Sequence, residues 1–237
     1  MAFTEIQTKS LKTLFMERIT TMIISEELKI GEKLPPERDI AQQMNISRSV
    51  VNDGLNELAK MGFLKIIPRQ GTFVADFKSQ PTIDIMVTLM EIGNVSNDYI
   101  RSTLELRNMF MRYALEKATP VLSKGDIKIL EDICTKFNYC KDIKKASQIA
   151  YKFDLQLMEF SGNILIPMFF KSFEKPNIYL LEKYIRLLGI ENYNQRNITL
   201  LEYIAQKKVK EAIDFMESSI QKAISREKDI YNQEKWG

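Results

Sequence analysis

Apolar and polar positions in the first part of the chain follow a pattern of short helices separated by turns. Residues 8–27 carry apolar side chains at helical spacing, which predicts one amphipathic helix. A proline pair then breaks the pattern. Since proline is tolerated in the first helical turn, Pro36 can open a second, short helix. Ser47 is a preferred N-cap residue and predicts a third helix, which Gly62 ends. Two helices joined by the turn at residues 45–47 predict a helix-turn-helix.

Two β-prone runs follow the third helix. They are residues 63–67 and 72–76, and the segment PRQG (68–71) between them supplies a turn. This arrangement predicts a β-hairpin, and a hairpin placed directly after a helix-turn-helix is a wing. We therefore predict a winged helix-turn-helix domain with a small β-hairpin wing over residues 1–78.

Long helical stretches replace this pattern after residue 78. No β-rich segment appears there, and glycine (9) and proline (7) are scarce in the whole chain. The apolar spacing predicts helices over 82–92, 97–118, 124–138, 142–161, 164–187, 195–206 and 208–231. We therefore predict a second domain over residues 79–237, an all-α helical bundle, which makes the protein mainly α.

Overall charge does not indicate a partner. The chain has 34 basic and 31 acidic residues, a net charge of +3. If the protein binds DNA, positive side chains must therefore be concentrated on one face. We expect that face to carry Lys33, Arg38, Arg48, Lys65 and Arg69. If these residues scatter over the surface, a winged domain that binds protein gains support.

The absence of histidine restricts the possible chemistry most strongly. A chain without histidine has no Ser-His-Asp or Cys-His nucleophile system and lacks the commonest metal ligand. Cys134 and Cys140 have no second pair, and we expect two reduced thiols in or near a core. We therefore expect no enzyme, no cofactor and no metal site.

Targeting signals are not recognisable in the sequence. The segment MAFTEIQTKS has no basic stretch followed by an apolar one, as a signal peptide would have. No uncharged apolar run reaches the length that spans a membrane. We therefore expect a cytoplasmic protein with no membrane partner.

Three motifs in the N-terminal part resemble the GntR family of transcriptional regulators. They are KLPPERDIA (33–41), ISRSVVNDGLNELAKMGFL (46–64) and PRQGTFV (68–74), within a segment from Leu11 to Phe77. The resemblance implies that the third helix reads double-stranded operator DNA in the major groove, with Arg48 pairing a guanine. The DNA-binding residues it implies are Lys33, Arg38, Ser47, Arg48, Ser49, Arg69 and Gly71.

Two of these assignments have a plain structural alternative. Arg38 could pair with a nearby carboxylate in a structural ion pair. Ser47 caps its helix whether or not it contacts DNA.

The helical part resembles the FadR-like branch of this family, which has an FCD-type helical effector domain. The resemblance is carried by ELRNMF (105–110) and KFDLQLMEFSGN (152–163). Many members of this branch bind a metal through one Asp and three His. Here the corresponding positions hold Ala150, Asp154 and, further along, Asn197 and Ser219, so that transition-metal site cannot form. A hard cation held by oxygens of Asp154 and Asn197 is the one metal alternative left open.

Polar residues on otherwise apolar helices are the candidates for effector binding. They are Arg107, Asp154, Asn163, Asn197 and Ser219. A pocket with a few polar groups suits a small organic ligand, and Arg107 would suit a carboxylate or phosphate. Each of these residues has the alternative of being a helix cap or a solvated surface residue.

The resemblance implies a homodimeric regulator, a repressor by family habit, that binds an inverted repeat and releases it when a small organic effector binds. Two other readings remain. One is an enzyme on the helical domain, against which the missing histidine stands. The other is a helical protein-interaction module with a winged domain that does not read DNA.

Overall fold

A computed structural model describes residues 9–91 and 97–225 of the chain. The chain divides into two compact units, Met1–Ile92 and Gly93–Gly237. The first unit combines helices with a small hairpin, and the second is built from helices in its described part. The prediction of a mainly α protein with an N-terminal winged helix-turn-helix is confirmed.

The first unit follows the predicted order of elements. These are α1 Leu11–Ile24, α2 Glu37–Met44, α3 Arg48–Met61, β1 Leu64–Ile67, β2 Gly71–Val74 and α4 Ile83–Glu91. The strands form an antiparallel hairpin in which Leu64 pairs with Val74 and Ile67 with Gly71. An isolated bridge between Lys33 and Phe73 attaches the segment before α2 to the hairpin.

Packing of α1 on α3 forms the centre of the first unit. Phe15 lies against Gly54, where even a methyl group would come within 2.4 Å of the phenyl ring. Because glycine has no side chain, the two helices can approach closely at this point. The surrounding core includes Phe15, Ile19, Ile23, Leu34, Ile40, Val51, Leu55, Leu58, Phe63 and Val74.

Helix α4 also belongs to the first unit. Ile85 is 1% exposed and joins the same core. The Thr82 hydroxyl, just before the helix, donates to the Met61 carbonyl at 2.7 Å. Thr82 and Ile85 therefore pack on the winged domain. The predicted domain boundary between residues 78 and 79 stays a prediction.

The second unit is a bundle of helices. They are α5 Asn97–Ala118, α6 Lys124–Asn138, α7 Ile143–Phe160, α8 Leu165–Ser172, α9 Glu174–Leu188, α10 Ile190–Ala205 and α11 Val209–Ser225. Helix α7 packs on both α5 and α9, α5 packs on α11, and α6 packs on α10. The core is mostly aliphatic and aromatic, including Met111, Leu115, Leu130, Phe137, Phe153, Leu157 and Leu200.

Three predicted helices differ from the observed ones. The single helix predicted over 164–187 is two helices, because Pro176 has no N–H and its ring would clash with the carbonyl four residues earlier in a continuous helix. Helix α10 starts at Ile190, directly after Gly189, and not at residue 195. The helix predicted over 208–231 is observed as α11 to Ser225, and residues 226–231 lie outside the described part.

Within residues 9–91 and 97–225, no helix has both the length and the apolar character needed to cross a bilayer.

Candidate functional site

The turn between α2 and α3 is built by two local backbone devices. Asn45 ends α2 in the left-handed conformation, with φ 51°, which asparagine tolerates well. The Ser47 hydroxyl oxygen then accepts a hydrogen bond from the Val50 N–H at 3.3 Å and caps α3. The structural role expected for Ser47 is confirmed, and the turn exposes the first residues of α3.

Arg48 and Ser49 occupy the first turn of α3, and both are exposed. Arg38 is exposed at the start of α2. Among the described residues of the first unit, the ion pairs involve other cations, namely Lys9, Lys12, Arg18 and Lys78. None of the described carboxylates forms an ion pair with Arg38, so the structural ion pair considered for it is not observed among them.

Sequence reasoning missed two further residues on this face of α3. Asn52 and Asn56 are exposed and follow Arg48 at successive four-residue steps, so the three lie on one side of the helix. The Asn52 amide donates to Glu37 Oε1 at 3.0 Å, and the Asn56 amide donates to Asn52 Oδ1 at 3.0 Å. The four-residue spacing in the sequence was the signal that could have found them.

At the wing, the side chain of Lys33 lies beside Gly71. Arg69, at the tip, is exposed and has φ 64°, while Gly71 has φ 121°. A Cβ on Gly71 would come within 2.9 Å of Lys33 Cε, which is the flexible end of that side chain, and the φ of 121° is the stronger reason for glycine at this position. The Leu34 N–H donates to the Thr72 carbonyl at 2.8 Å, which holds the lysine segment on the hairpin.

A second polar cluster lies inside the helical unit. Arg107 of α5 and Asp154 of α7 are 7% and 1% exposed. Arg107 Nε donates to Asp154 Oδ2 at 3.0 Å, and Nη2 donates to the same oxygen. Burial opposes the charge on Arg107, but the facing Asp154 and Tyr193 raise its pKa overall, so the guanidinium stays charged.

Helix α10 continues this cluster. Burial raises the pKa of the Tyr193 hydroxyl, which interacts with Arg196, Asp154 and Arg107. The Arg196 guanidinium lies over the Tyr193 ring, 5.4 Å from its centroid, and its Nη1 donates to Asn197 Oδ1 at 2.9 Å. Three of the predicted effector residues, Arg107, Asp154 and Asn197, therefore belong to one connected polar group.

The other two predicted effector residues make local backbone contacts. Asn163 Oδ1 accepts from the N–H groups of Leu165 and Ile166 at 2.9 and 3.2 Å, so it caps α8. The Ser219 hydroxyl donates to the Phe215 carbonyl at 2.9 Å within α11. Asn163 is therefore a helix cap, as the structural alternative states, whereas Ser219 is buried within α11 and is neither a cap nor a solvated surface residue.

The oxygens available here do not fit a divalent cation. Asp154 Oδ2 receives both donors of Arg107, and Asn197 Oδ1 receives Arg196. A cation between them would face two guanidinium groups. No group of three or more Cys, Asp or Glu side chains in the described ranges is placed to hold a metal ion.

Neither cysteine forms a disulfide. Cys134 is buried, and Cys140 is partly exposed. Burial raises the pKa of Cys134 to about 12. Its thiol is therefore a core group, as expected from the sequence.

Comparison with known proteins supports the reading of the first unit. Residues 15–74 match the family profile described as "Bacterial regulatory proteins, gntR family". The HTH-type transcriptional regulator Mce2R of Mycobacterium tuberculosis is 30% identical over 108 residues, 45% of each chain. The putative L-lactate dehydrogenase operon regulatory protein of Escherichia coli is 28% identical over 155 residues, 63% of this chain and 58% of that protein.

The chain spans about half the length of the curated relatives it matches. One solved structure resembles nearly all of it, with a TM-score of 0.66 at 18% identity, covering 97% of this chain and 100% of the other. That structure is described as "Lar controls the expression of the Listeria monocytogenes agr system and mediates virulence". At this low sequence identity, the structural similarity supports a shared fold and nothing further. Residues 15–74, which carry the helix-turn-helix and the wing, are therefore similar to the winged helix-turn-helix of the gntR family.

Proposed function

We propose that this protein is a DNA-binding transcriptional regulator of the FadR-like branch, whose operator affinity a small organic effector controls from the helical unit. The winged domain is the DNA-binding part, and the helical unit is the effector-binding and dimerisation part. The protein acts in the cytoplasm, as a repressor, and catalyses no reaction.

The exposed N-terminal end of α3 supports the DNA-binding role most directly. Ser47, Arg48 and Ser49 are exposed there, and Arg48 has no described carboxylate partner. Phosphates and base edges are the anions and acceptors that such side chains bind in the major groove. Curated relatives of this part of the chain bear the names of transcriptional regulators.

Arg48, Asn52 and Asn56, which lie on one side of α3, extend the predicted base contacts. The Arg48 fork matches O6 and N7 of a guanine, and an amide of Asn52 or Asn56 that exchanges its contact within the protein for a base matches an adenine. Lys33, which lies beside the wing, and Arg69 at the wing tip contact the flanking phosphates, and Gly71 allows the backbone to approach them. Arg38 and Ser49 bind phosphates beside the recognition helix.

Two copies of the protein are required for this mode of binding. We propose a homodimer in which each winged domain binds one half of an inverted repeat in double-stranded operator DNA. The effector must bind the DNA-competent and the incompetent states with unequal affinity, since only a difference in affinity shifts their populations. The buried group around Arg107, Asp154 and Asn197 is the proposed effector site.

The experiment is a binding titration of the full chain against its own upstream DNA and a shuffled duplex of equal composition. Fluorescence anisotropy follows each duplex from about 50 to 200 mM salt. We expect selective binding to the upstream DNA, with affinity that falls steeply as salt displaces the phosphate contacts.

Equal and weak binding to both duplexes at every salt concentration would contradict the proposal for this operator. A genome-wide selection of bound DNA fragments then distinguishes two explanations. Either the operator lies elsewhere in the genome, or the winged domain binds protein and does not read DNA. Enrichment of no common sequence in that selection would favour the protein-interaction module.

A further inference from the structure

Glu37 brings a negative charge to the surface that is proposed to meet DNA. It is the first residue of α2, it is partly exposed, and its Oε1 accepts a hydrogen bond from Asn52 Nδ2 of α3 at 3.0 Å. The ion pairs described within residues 9–91 do not involve Glu37. Because a carboxylate repels nearby phosphates, its position beside Asn52 calls for an explanation.

The contact with Glu37 fixes the orientation of the Asn52 amide. An ionised carboxylate only accepts hydrogen bonds, so the part of the amide that faces it must be the Nδ2 amino group. The amide oxygen, Asn52 Oδ1, is thereby left to accept from Asn56 Nδ2 at 3.0 Å. A neutral amide in place of Glu37 would offer both a donor and an acceptor and would impose no orientation.

The Asn52 oxygen in turn orients Asn56. Asn56 Nδ2 donates to Asn52 Oδ1 at 3.0 Å and to the Asn52 backbone carbonyl at 2.9 Å, so both of its N–H groups are used within α3. Asn56 is exposed, and its remaining polar atom, Oδ1, has no donor among the described residues. Glu37, Asn52 and Asn56 therefore form a directed chain of hydrogen bonds, which we call the amide relay, with an acceptor at its end.

An acceptor in the major groove selects among the bases. The amino groups of adenine (N6) and cytosine (N4) are donors there, whereas guanine and thymine present the acceptors O6 and O4. A fixed amide oxygen therefore favours an amino base. An amide that is free to turn over favours neither class, because its own amino group can pair with the carbonyl oxygens of guanine and thymine.

We propose that Glu37 is a positioning residue for base recognition, which acts through Asn52 to hold Asn56 Oδ1 toward the groove as an acceptor for adenine or cytosine. Glu37 does not contact the DNA itself. This inference deepens the proposed function, on which it rests, by naming a specificity-determining group and the class of base that it selects.

A purely structural role for Glu37 predicts a different behaviour. Glu37 and Asp39 both lie in the first turn of α2, where a negative charge stabilises the helix end. Asp39 is exposed and stands outside the relay, so Asp39→Asn removes the same charge from the same turn as Glu37→Gln. Both variants should gain non-specific affinity for DNA to a similar extent, since each removes one repulsive charge. Only Glu37→Gln should change base selection.

The experiment is a selection by the full chain from DNA duplexes with a randomised central segment, followed by sequencing of the bound fraction. For the natural chain we expect one position in each half-site at which adenine and cytosine, read on one strand, are both enriched over guanine and thymine. The enrichment should be roughly threefold to tenfold, as one hydrogen bond gives. Asn56→Ala identifies this position, because it removes the acceptor. Glu37→Gln should bring the four bases there close to equality, and Asp39→Asn should retain the selection.

A double variant moves the carboxylate one step along the relay. Glu37→Gln combined with Asn52→Asp keeps the net charge of the natural chain and places an acceptor-only group directly beside Asn56 Nδ2. We expect this variant to recover the enrichment of adenine and cytosine that Glu37→Gln alone loses. A role of Glu37 confined to the end of α2 gives no such recovery, and its absence would contradict the relay.

Three other results overturn the relay. They are the same enrichment in Glu37→Gln as in the natural chain, an equal loss in Asp39→Asn, and enrichment of adenine alone, for which Asn56 must give up a contact within α3. A common selected sequence without a position that prefers amino bases also overturns it and leaves the regulator standing. Selection of no common sequence by the natural chain would count against the regulator and the relay together.

Discussion

Arg107 and Asp154, separated by 47 positions in the sequence, form an ion pair inside the helical unit in which two guanidinium donors share one carboxylate oxygen. The two residues are 7% and 1% exposed, so water solvates neither charge well. Removal of one partner would leave the other charge buried and uncompensated, which is far more costly than the loss of a surface pair.

We predict that Asp154→Asn lowers the free energy of unfolding by about 3–5 kcal/mol, because it leaves the charge of Arg107 without a counter-ion. Urea unfolding followed by circular dichroism measures the change. The double replacement Arg107→Met with Asp154→Leu removes both charges and should recover most of the loss.

Glu182→Gln is the control for this prediction. Glu182 is partly exposed and pairs at 3.1 Å with the half-exposed Arg186, so its replacement should change the unfolding free energy by less than about 1 kcal/mol. Equal effects of Asp154→Asn and Glu182→Gln would show that the buried ion pair contributes no more to the free energy of unfolding than the partly exposed one.

Gly54 gives a prediction for the winged domain. A methyl group there would lie 2.4 Å from Phe15 Cδ1, and Phe15 is itself buried and cannot move away freely. Alanine favours a helix by about 1 kcal/mol over glycine, but overpacking costs about 1–3 kcal/mol. We predict that Gly54→Ala lowers the unfolding free energy by up to about 2 kcal/mol, as measured in urea.

Gly125→Ala is the matched control in another helix. The nearest atom to its added methyl group is Ser123 Oγ at 3.5 Å, an ordinary contact. This replacement should stabilise the protein by about 0.4–1 kcal/mol. A similar gain for Gly54→Ala would mean that α1 does not pack closely on α3.

Cys134 should be unreactive in the native protein. With its pKa raised by burial to about 12, only about one thiol in ten thousand is ionised at pH 8, and the thiolate is the reactive form. In the variant Cys140→Ser we expect no reaction with Ellman's reagent until guanidinium chloride unfolds the chain. Cys134→Ser, which keeps the partly exposed Cys140, should react natively. Fast native labelling of Cys140→Ser would contradict the burial of Cys134.

Local signals in the sequence were sufficient for most of the fold. Ser47 caps α3 as its sequence context predicts, and the Pro/Gly turn gives the hairpin. Such signals act within a few residues, so they can be read from one segment at a time. Pro176 carried the same kind of local signal for the break between α8 and α9, which the apolar periodicity concealed.

Contacts between distant segments could not be predicted in this way. The sequence marks Arg107 and Asp154 as polar residues on apolar helices but does not show that they meet each other. It does not show that Phe15 rests on Gly54, or that the Arg196 guanidinium lies over the Tyr193 ring. These facts depend on how helices pack, which is decided by many weak contacts at once.

The N-terminal end of α3 is proposed to read DNA sequence, and Arg48→Ala tests this role most directly. We measure the affinity of this variant for the upstream operator and for a shuffled duplex at one salt concentration, with Arg186→Ala in the helical unit as the control. We predict that Arg48→Ala loses about 1–3 kcal/mol of operator binding, relaxes specificity at one base position and binds the shuffled duplex nearly as before. An operator affinity equal to that of the natural chain and of Arg186→Ala would contradict the role of Arg48.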